Sequence, residues 1–208
     1  MQPFSRRSFL AGAAATAFAT PAAADIACSS FNDFGHRQCT VGLLNVPSIQ
    51  QQCQQWCWAA CAELAFRVQG IDIDQTTFVE RVFGNANVCL PATGQQIAQA
   101  VSGQWTDKYG QSVSVNLGVI LDYDHNIQNT NDPMRVVRDE LEANRVVIAG
   151  TLGHAICITA MDYLENYAGQ RQLVGLTVRD PWPWSQNKYQ MSLQQFNAGR
   201  FLATVNFT

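Results

Sequence analysis

From Cys57 onward, apolar residues recur at helical spacing. Cys57, Cys61, Leu64, Ala65 and Val68 fall on one face, Glu63, Arg67 and Gln69 point elsewhere, and Gly70 supplies a stop. The spacing predicts a helix whose buried face begins with a cysteine. Asp74 is placed to cap a second helix carrying Phe78, Val79, Val82 and Phe83. Asp132-Pro133 opens a third through about Asn144, with proline in the first turn, where a missing N–H is tolerated. Towards the C-terminus the period changes. Arg145 to Gly150 reads as a strand, Gly153 breaks it, His154 to Ala160 reads as a second strand, and Leu173 to Asp180 as a third that Pro181 cuts off. The last two should form an antiparallel hairpin across the polar segment Leu164 to Gln172. The polar tract from Asp122 to Asp132 then separates a helical front half from a strand-rich back half. That is the order of an α+β domain with a cleft between two lobes.

The hairpin register carries chemistry. If residues 163 and 173 pair beside the loop, 156 opposes 180 and 154 opposes 182, so His154 and Asp180 share a face as diagonal neighbours. Such positions lie roughly 7 to 8 Å apart at the backbone, within reach of an imidazole and a carboxylate. A slip of one residue would separate them. Cys57 stands in the first turn of its helix, where unpaired N–H groups and the positive end of the dipole favour thiolate over thiol. Gln51, six residues earlier, is an amide placed to donate beside it. A nucleophilic thiol needs a base, and the chain has three histidines. His36 lies in a polar segment, and His125 lies in a run from Asp122 to Asn131 that reads as an exposed loop, so both read as solvated. His154 stands at a strand entrance, where it can face a cleft, with Asp180 to accept the hydrogen bond of its second ring nitrogen and fix its tautomer. Trp182 and Trp184 follow, and one of them is placed to shield that bond from water.

Gln51, Cys57-Trp58-Ala-Ala60, Gly153-His154 and Asp180-Pro181, in that order and at about those separations, resemble the papain-like cysteine peptidases. The resemblance is strongest to the compact bacterial branch that includes a secreted plant-pathogen effector protease, and it covers about residues 45 to 185. It implies Cys57 as nucleophile, His154 as general base and acid, Asp180 as orienting residue, and Gln51 as oxyanion donor together with the Cys57 backbone N–H. It also implies a two-lobed fold in which a central N-terminal helix packs against an antiparallel sheet, and a protein or peptide substrate. No cofactor and no metal are called for. Two departures from plant papain stand out. Gln55-Trp56 replaces small residues before the nucleophile, which should narrow one side of the cleft, and Asp180 replaces an asparagine, which adds negative charge to the pair.

Composition bounds the rest. Ser5-Arg6-Arg7-Ser-Phe-Leu10 is a twin-arginine sequence followed by the apolar run Ala11 to Phe18 and the small residues Ala22 to Ala24. Residues 1–24 are therefore expected to be an export signal, too short in its apolar part to span a membrane. Residues 25–208 are expected to be the exported peptidase domain, periplasmic or secreted and monomeric. Loss of Arg6 and Arg7 takes the formal charge from −3 to −5, and no basic patch argues for nucleic acid. With 47% hydrophobic and 14% charged residues, the chain can fill one core. Seven cysteines suit an oxidising destination, and the odd count suits one free nucleophile plus three disulfides. The pairing stays open; Cys28 with Cys39 is the most local option, Cys61 with Cys89 would tie the central helix to a following loop, and Cys157, on the strand face opposite His154, suits a buried free thiol. Three other readings compete. Thiol acyl transfer of amidase or transglutaminase type uses the same logic, an inactive binding protein would keep the fold, and a metal-stabilised protein would draw on Cys53, Cys57 and Cys61 with His154.

Overall fold

The computed structural model describes residues 22–151 and 153–208. The twin-arginine motif and its apolar run lie outside the described residues. Strands β1 (Ala24–Cys28) and β2 (His36–Leu43) form an opening hairpin, followed by helices α1 (Cys57–Val68), α2 (Gln75–Phe83) and α3 (Gly94–Val101). Then come β3 (Gly103–Thr106), β4 (Ser112–Asp122), the short β5 (Ile127–Gln128) and α4 (Pro133–Glu142). The chain closes with β6 (Val147–Thr151), β7 (His154–Asn166), β8 (Arg171–Arg179), β9 (Lys188–Met191), α5 (Leu193–Asn197) and β10 (Phe201–Phe207). Every strand pairing is antiparallel, in the order β1-β2-β7-β6-β10-β4-β3, with β8 and β9 continuing from the other edge of β7. The molecule is α+β, with α1 packed against an antiparallel sheet, as the sequence predicts.

Two expectations about α1 and the sheet need correction. Trp58 through Phe66 and Val68 are all buried, so α1 has no solvated polar face; the sheet lies on one side of it and α2 and α3 on another. Glu63, expected to point away from the core, is 6% exposed and is satisfied by Gln75 Nε2 at 2.8 Å and Arg67 Nη2 at 3.3 Å. The division into helical and strand-rich halves also fails. β1 to β4 lie at or before Asp122, and β4 pairs with the C-terminal β10, a long-range partnership that local spacing does not announce. The helix ends, by contrast, are where the sequence puts them. Gly70 takes φ of 79°, a conformation that costs little only for glycine, and its N–H closes on Arg67 O. Asp74 caps α2 through Thr77 N, and Asp132 caps α4 through Arg135 N, both at 3.0 Å.

The β7–β8 hairpin is tighter than its polar sequence suggests. Residues 164–166 and 171–172, expected in the loop, belong to β7 and β8, and Glu165 is bonded by Arg171 across the pair and by Arg37 of β2. Only 167–170 turn, held by Asn166 Oδ1, which accepts from Ala168 N and Gln170 N. Tyr163 pairs with Leu173. The ladder then shifts twice, leaving Val174 unmatched on β8 and Thr159 unmatched on β7. The shifts cancel. Cys157 faces Arg179, so 156 stands opposite 180 in the register that the unbroken ladder predicts.

The sheet carries one apolar cluster on each face. Ala155, Cys157, Ile148 and Val205 pack with α1, α2 and α3, while Ile156, Ile158, Val147 and Leu202 pack with Val137 and Leu141 of α4. Among the described residues, no helix is long and apolar enough to cross a membrane.

Candidate active site

Cys57 is the first residue of α1, and Trp56 before it makes no side-chain cap. The entry to the helix is fixed by other means. Cys53 is disulfide-bonded to Cys89, the Trp56 indole donates to Val88 O at 2.9 Å, and the Trp58 indole donates to Leu90 O at 3.4 Å. Three ties thus hold the start of α1 against segment 88–90, which leads into the cleft wall at Pro91 to Gly94. This replaces the expected link of Cys61 to Cys89; the Cys28–Cys39 bond forms as the local spacing suggests. Of the bulky pair before Cys57, only Gln55 lines the cleft, since the Trp56 ring turns into the core.

The thiol of Cys57 shares the cleft with His154, and His154 together with the backbone N–H groups of Ala155 and Trp58 is near enough to favour its anion. His154 Nε2 donates to Asp180 Oδ1 at 2.7 Å, which leaves Nδ1 for the sulfur. Asp180 is 7% exposed, accepts a second bond from Trp182 N at 2.8 Å, and is anchored through its backbone to Asn187. The Trp182 ring stands edge-on to the imidazole, 6.0 Å between centroids, so of the two tryptophans it is the one beside His154; Trp184 is 87% exposed.

Burial opposes every charge in this group, and the partners outweigh it. Desolvation alone would raise the Cys57 thiol, yet His154 and the two N–H groups hold it below its usual value. Desolvation would lower His154, yet Asp180 and Cys57 push it up to about 9. Asp180 is likewise held below the usual carboxylate range by His154 and Trp182 N–H against the cost of burial. The arrangement favours thiolate, imidazolium and carboxylate together. The other two free thiols are different. Cys61 and Cys157 are both buried, Cys157 Sγ donates to Cys61 O at 3.6 Å, and burial drives the Cys61 thiol well up. Three free cysteines and two disulfides among the described residues replace the expected one and three.

Gln51 is buried beside this group rather than open to the cleft. Its Nε2 donates to Cys53 O at 3.0 Å and Gln54 O at 2.8 Å, and its Oε1 has no partner among the described residues. Its backbone N–H donates to Pro181 O at 2.9 Å, tying it to the residue after Asp180. Cys53, one member of the competing metal set, is committed to its disulfide.

The cleft extends both ways from the thiol. One arm, about 390 Å³, runs between Trp58, Pro91, Ile97 and Phe201; the other, about 410 Å³, passes Gln54 and Asp180 to Trp182. Gln55, Cys57, Gly153 and His154 line both. His125, read as solvated, stands half-exposed on the rim of the first arm, its Nδ1 2.8 Å from Asp122 Oδ2. Beside it Arg200 pairs with Asp124. Neither Arg200 nor Phe201 gave any sequence signal, because β10 reaches the cleft only through its long-range pairing with β4 and β6. His36 is exposed at the start of β2, outside the cleft.

No curated protein matches the chain. Among solved structures, it is similar to a double-glycine-motif protease from an AMS/PCAT transporter, in complex with the leader peptide. The identity is 10%, over 78% of this chain and 91% of that one, with a TM-score of 0.45. The profile of the Peptidase_C39 like family matches residues 43–207, a span that contains Gln51, Cys57, His154 and Asp180. The chain belongs to the Peptidase_C39 like family.

Proposed function

We propose that this chain is a cysteine endopeptidase that hydrolyses peptide bonds through a thioacyl-enzyme on Cys57. The observation that carries the reading is that Cys57, at the start of α1, and His154, bonded to buried Asp180, meet in one cleft, with the thiol lowered and the imidazole raised. In the proposed cycle the thiolate attacks the scissile carbonyl carbon, and the carbonyl electrons move to oxygen. The Cys57 N–H, at the positive end of α1, and Gln51 stabilise that oxyanion; Gln51 must turn one amide hydrogen from its carbonyl partners to do so. Collapse breaks the C–N bond as His154 gives its proton to the leaving amine. Water then attacks the thioester, passing a proton to His154, and the thiolate departs from the carboxylic acid. Asp180 acts through His154 as a positioning residue. A cleft open on both sides of Cys57 supports cleavage within a chain rather than at its end.

The assignment to the branch that includes a plant-pathogen effector protease is finer than the family match and rests on the quoted motifs. Export by the twin-arginine route is likewise proposed from residues 5–24. It is tested by the mass of the exported protein, expected to begin at Asp25; an exported chain that keeps Arg6 and Arg7 would rule it out.

Intact-mass labelling with an E-64-type epoxide tests the enzyme reading. One label on Cys57 is expected, absent in Cys57→Ala and strongly slowed in His154→Ala. Labelling that persists in Cys57→Ala, or hydrolysis at the parent rate in that variant, would end the proposal.

A further inference from the structure

Gln75 is the first residue of α2, and its side chain points away from solvent into the space between α1 and the segment ahead of it. The residue is 1% exposed, and a buried amide is costly unless its polar atoms are paired. Here both are. Oε1 accepts from Gln52 N at 3.0 Å, and Nε2 donates to Gln50 O at 2.9 Å and to Glu63 Oε2 at 2.8 Å. The two backbone partners are the residues on either side of Gln51. Glu63 lies on α1, two turns below Cys57, where Arg67 bonds its other oxygen. From the opposite side, the Gln51 N–H is held by Pro181 O at 2.9 Å. The backbone of residues 50–52 is thus gripped from one side by an amide braced on the nucleophile helix and from the other by the residue after Asp180.

A core that needed only to be filled would take an apolar side chain at position 75 at lower desolvation cost. The bonds made here fix a specific object, the height and rotation of Gln51 relative to the N-terminus of α1. We propose that Gln75 is a positioning residue for Gln51, setting where its amide stands beside Cys57. The inference rests on the oxyanion role given to Gln51 above.

Two probes separate this from a general loss of structure. Acetyl-Phe-glycinal forms a hemithioacetal on Cys57 that places an oxygen where the oxyanion forms, whereas alkylation by iodoacetamide requires only the thiolate. Gln75→Met keeps the volume and removes the hydrogen bonds. Its affinity for the aldehyde should fall about tenfold while its iodoacetamide rate stays that of the parent. Gln51→Ala should lose roughly a hundredfold in aldehyde affinity, and the double variant should lose no more than Gln51→Ala alone. Unchanged aldehyde affinity in Gln75→Met, an iodoacetamide rate that falls in step, or losses that multiply in the double variant would each overturn the proposal. Should Gln75→Met not fold, Gln75→Asn, an amide one methylene too short to span both backbone groups, carries the same expectation. A parent protein that forms no hemithioacetal while iodoacetamide still labels Cys57 would refute the oxyanion role itself, and with it this inference. Full aldehyde affinity in Cys57→Ala would instead refute the nucleophile.

Discussion

Neither charge of the Cys57–His154 pair would survive its surroundings alone, since burial pushes the thiol up and the imidazole down. Their coexistence depends on Asp180, and this gives the pH dependence a definite sign. If the proposed cycle holds, turnover should decline as pH falls through the lowered value of Cys57 and the thiolate is protonated, and should decline again as pH rises through about 9 and His154 loses the proton the cycle gives to the leaving amine. Alkylation by iodoacetamide should follow the acid limb alone. Asp180→Asn removes the anion that helps to raise His154, so the alkaline limb should move to lower pH while the imidazole stays oriented; Asp180→Ala should also lose height. Rate measurements across pH on both variants check this, and equal losses would make the charge, not the orientation, the essential part. Cys57, His154 and Asp180 were legible in the sequence because each is tied to a local event: a helix start, a strand start and a strand end. Gln75 and Glu63 were not. Their roles arise from contact between α1, α2 and the segment 50–52, and a glutamine at the first turn of a helix reads in isolation as one more polar surface residue.

Helix caps were also legible, and they allow the site to be probed from the element that carries Gln75. Asp74 accepts from Thr77 N at 3.0 Å and Thr77 Oγ1 at 2.9 Å, and Asp132 from Arg135 N at 3.0 Å. Replacing either with alanine should cost about 1 kcal/mol, seen as a melting temperature lower by roughly 2 to 4 °C. The two variants should differ at the site. Asp74→Ala frays the turn that begins with Gln75 and should weaken the hemithioacetal, whereas Asp132→Ala loosens α4 on the far face of the sheet and should not. Equal aldehyde affinities would mean that the first turn of α2 is held by its packing rather than by its cap. The strands were less evenly legible. β6, β7 and β8 follow one another and pair in sequence order, so the His154–Asp180 register could be counted; that the count held through two bulges depends on their opposite signs. β4 and β10 pair between residues as far apart in sequence as Val115 and Phe207, beyond what period alone reveals.

At the scale of the whole molecule, cysteine arithmetic and folded geometry disagree, and the disagreement is measurable. Seven cysteines suggested one nucleophile and three bonds, whereas the fold makes two bonds and sets Cys157 of β7 against Cys61 of α1, both as thiols. Native, unreduced protein treated with iodoacetamide should take one label, on Cys57, because the other two free thiols are buried. Unfolded in denaturant without reductant it should take three labels, and after reduction seven. A single label before and after unfolding would mean that Cys61 and Cys157 close a third bond, joining the helix that begins at Cys57 to the strand that begins at His154. The result also bears on the proposed export of a folded chain from a reducing cytoplasm. Cys53–Cys89 closes a long loop over the entry to α1, and a bond of that span contributes on the order of 3 to 4 kcal/mol in the loop-entropy account. Its reduction should therefore slow iodoacetamide labelling of Cys57 if the clasp sets the thiol's place. If the tryptophan bonds to Val88 O and Leu90 O suffice, the reduced protein should label at the oxidised rate, and the site would already be assembled before the chain meets an oxidising compartment.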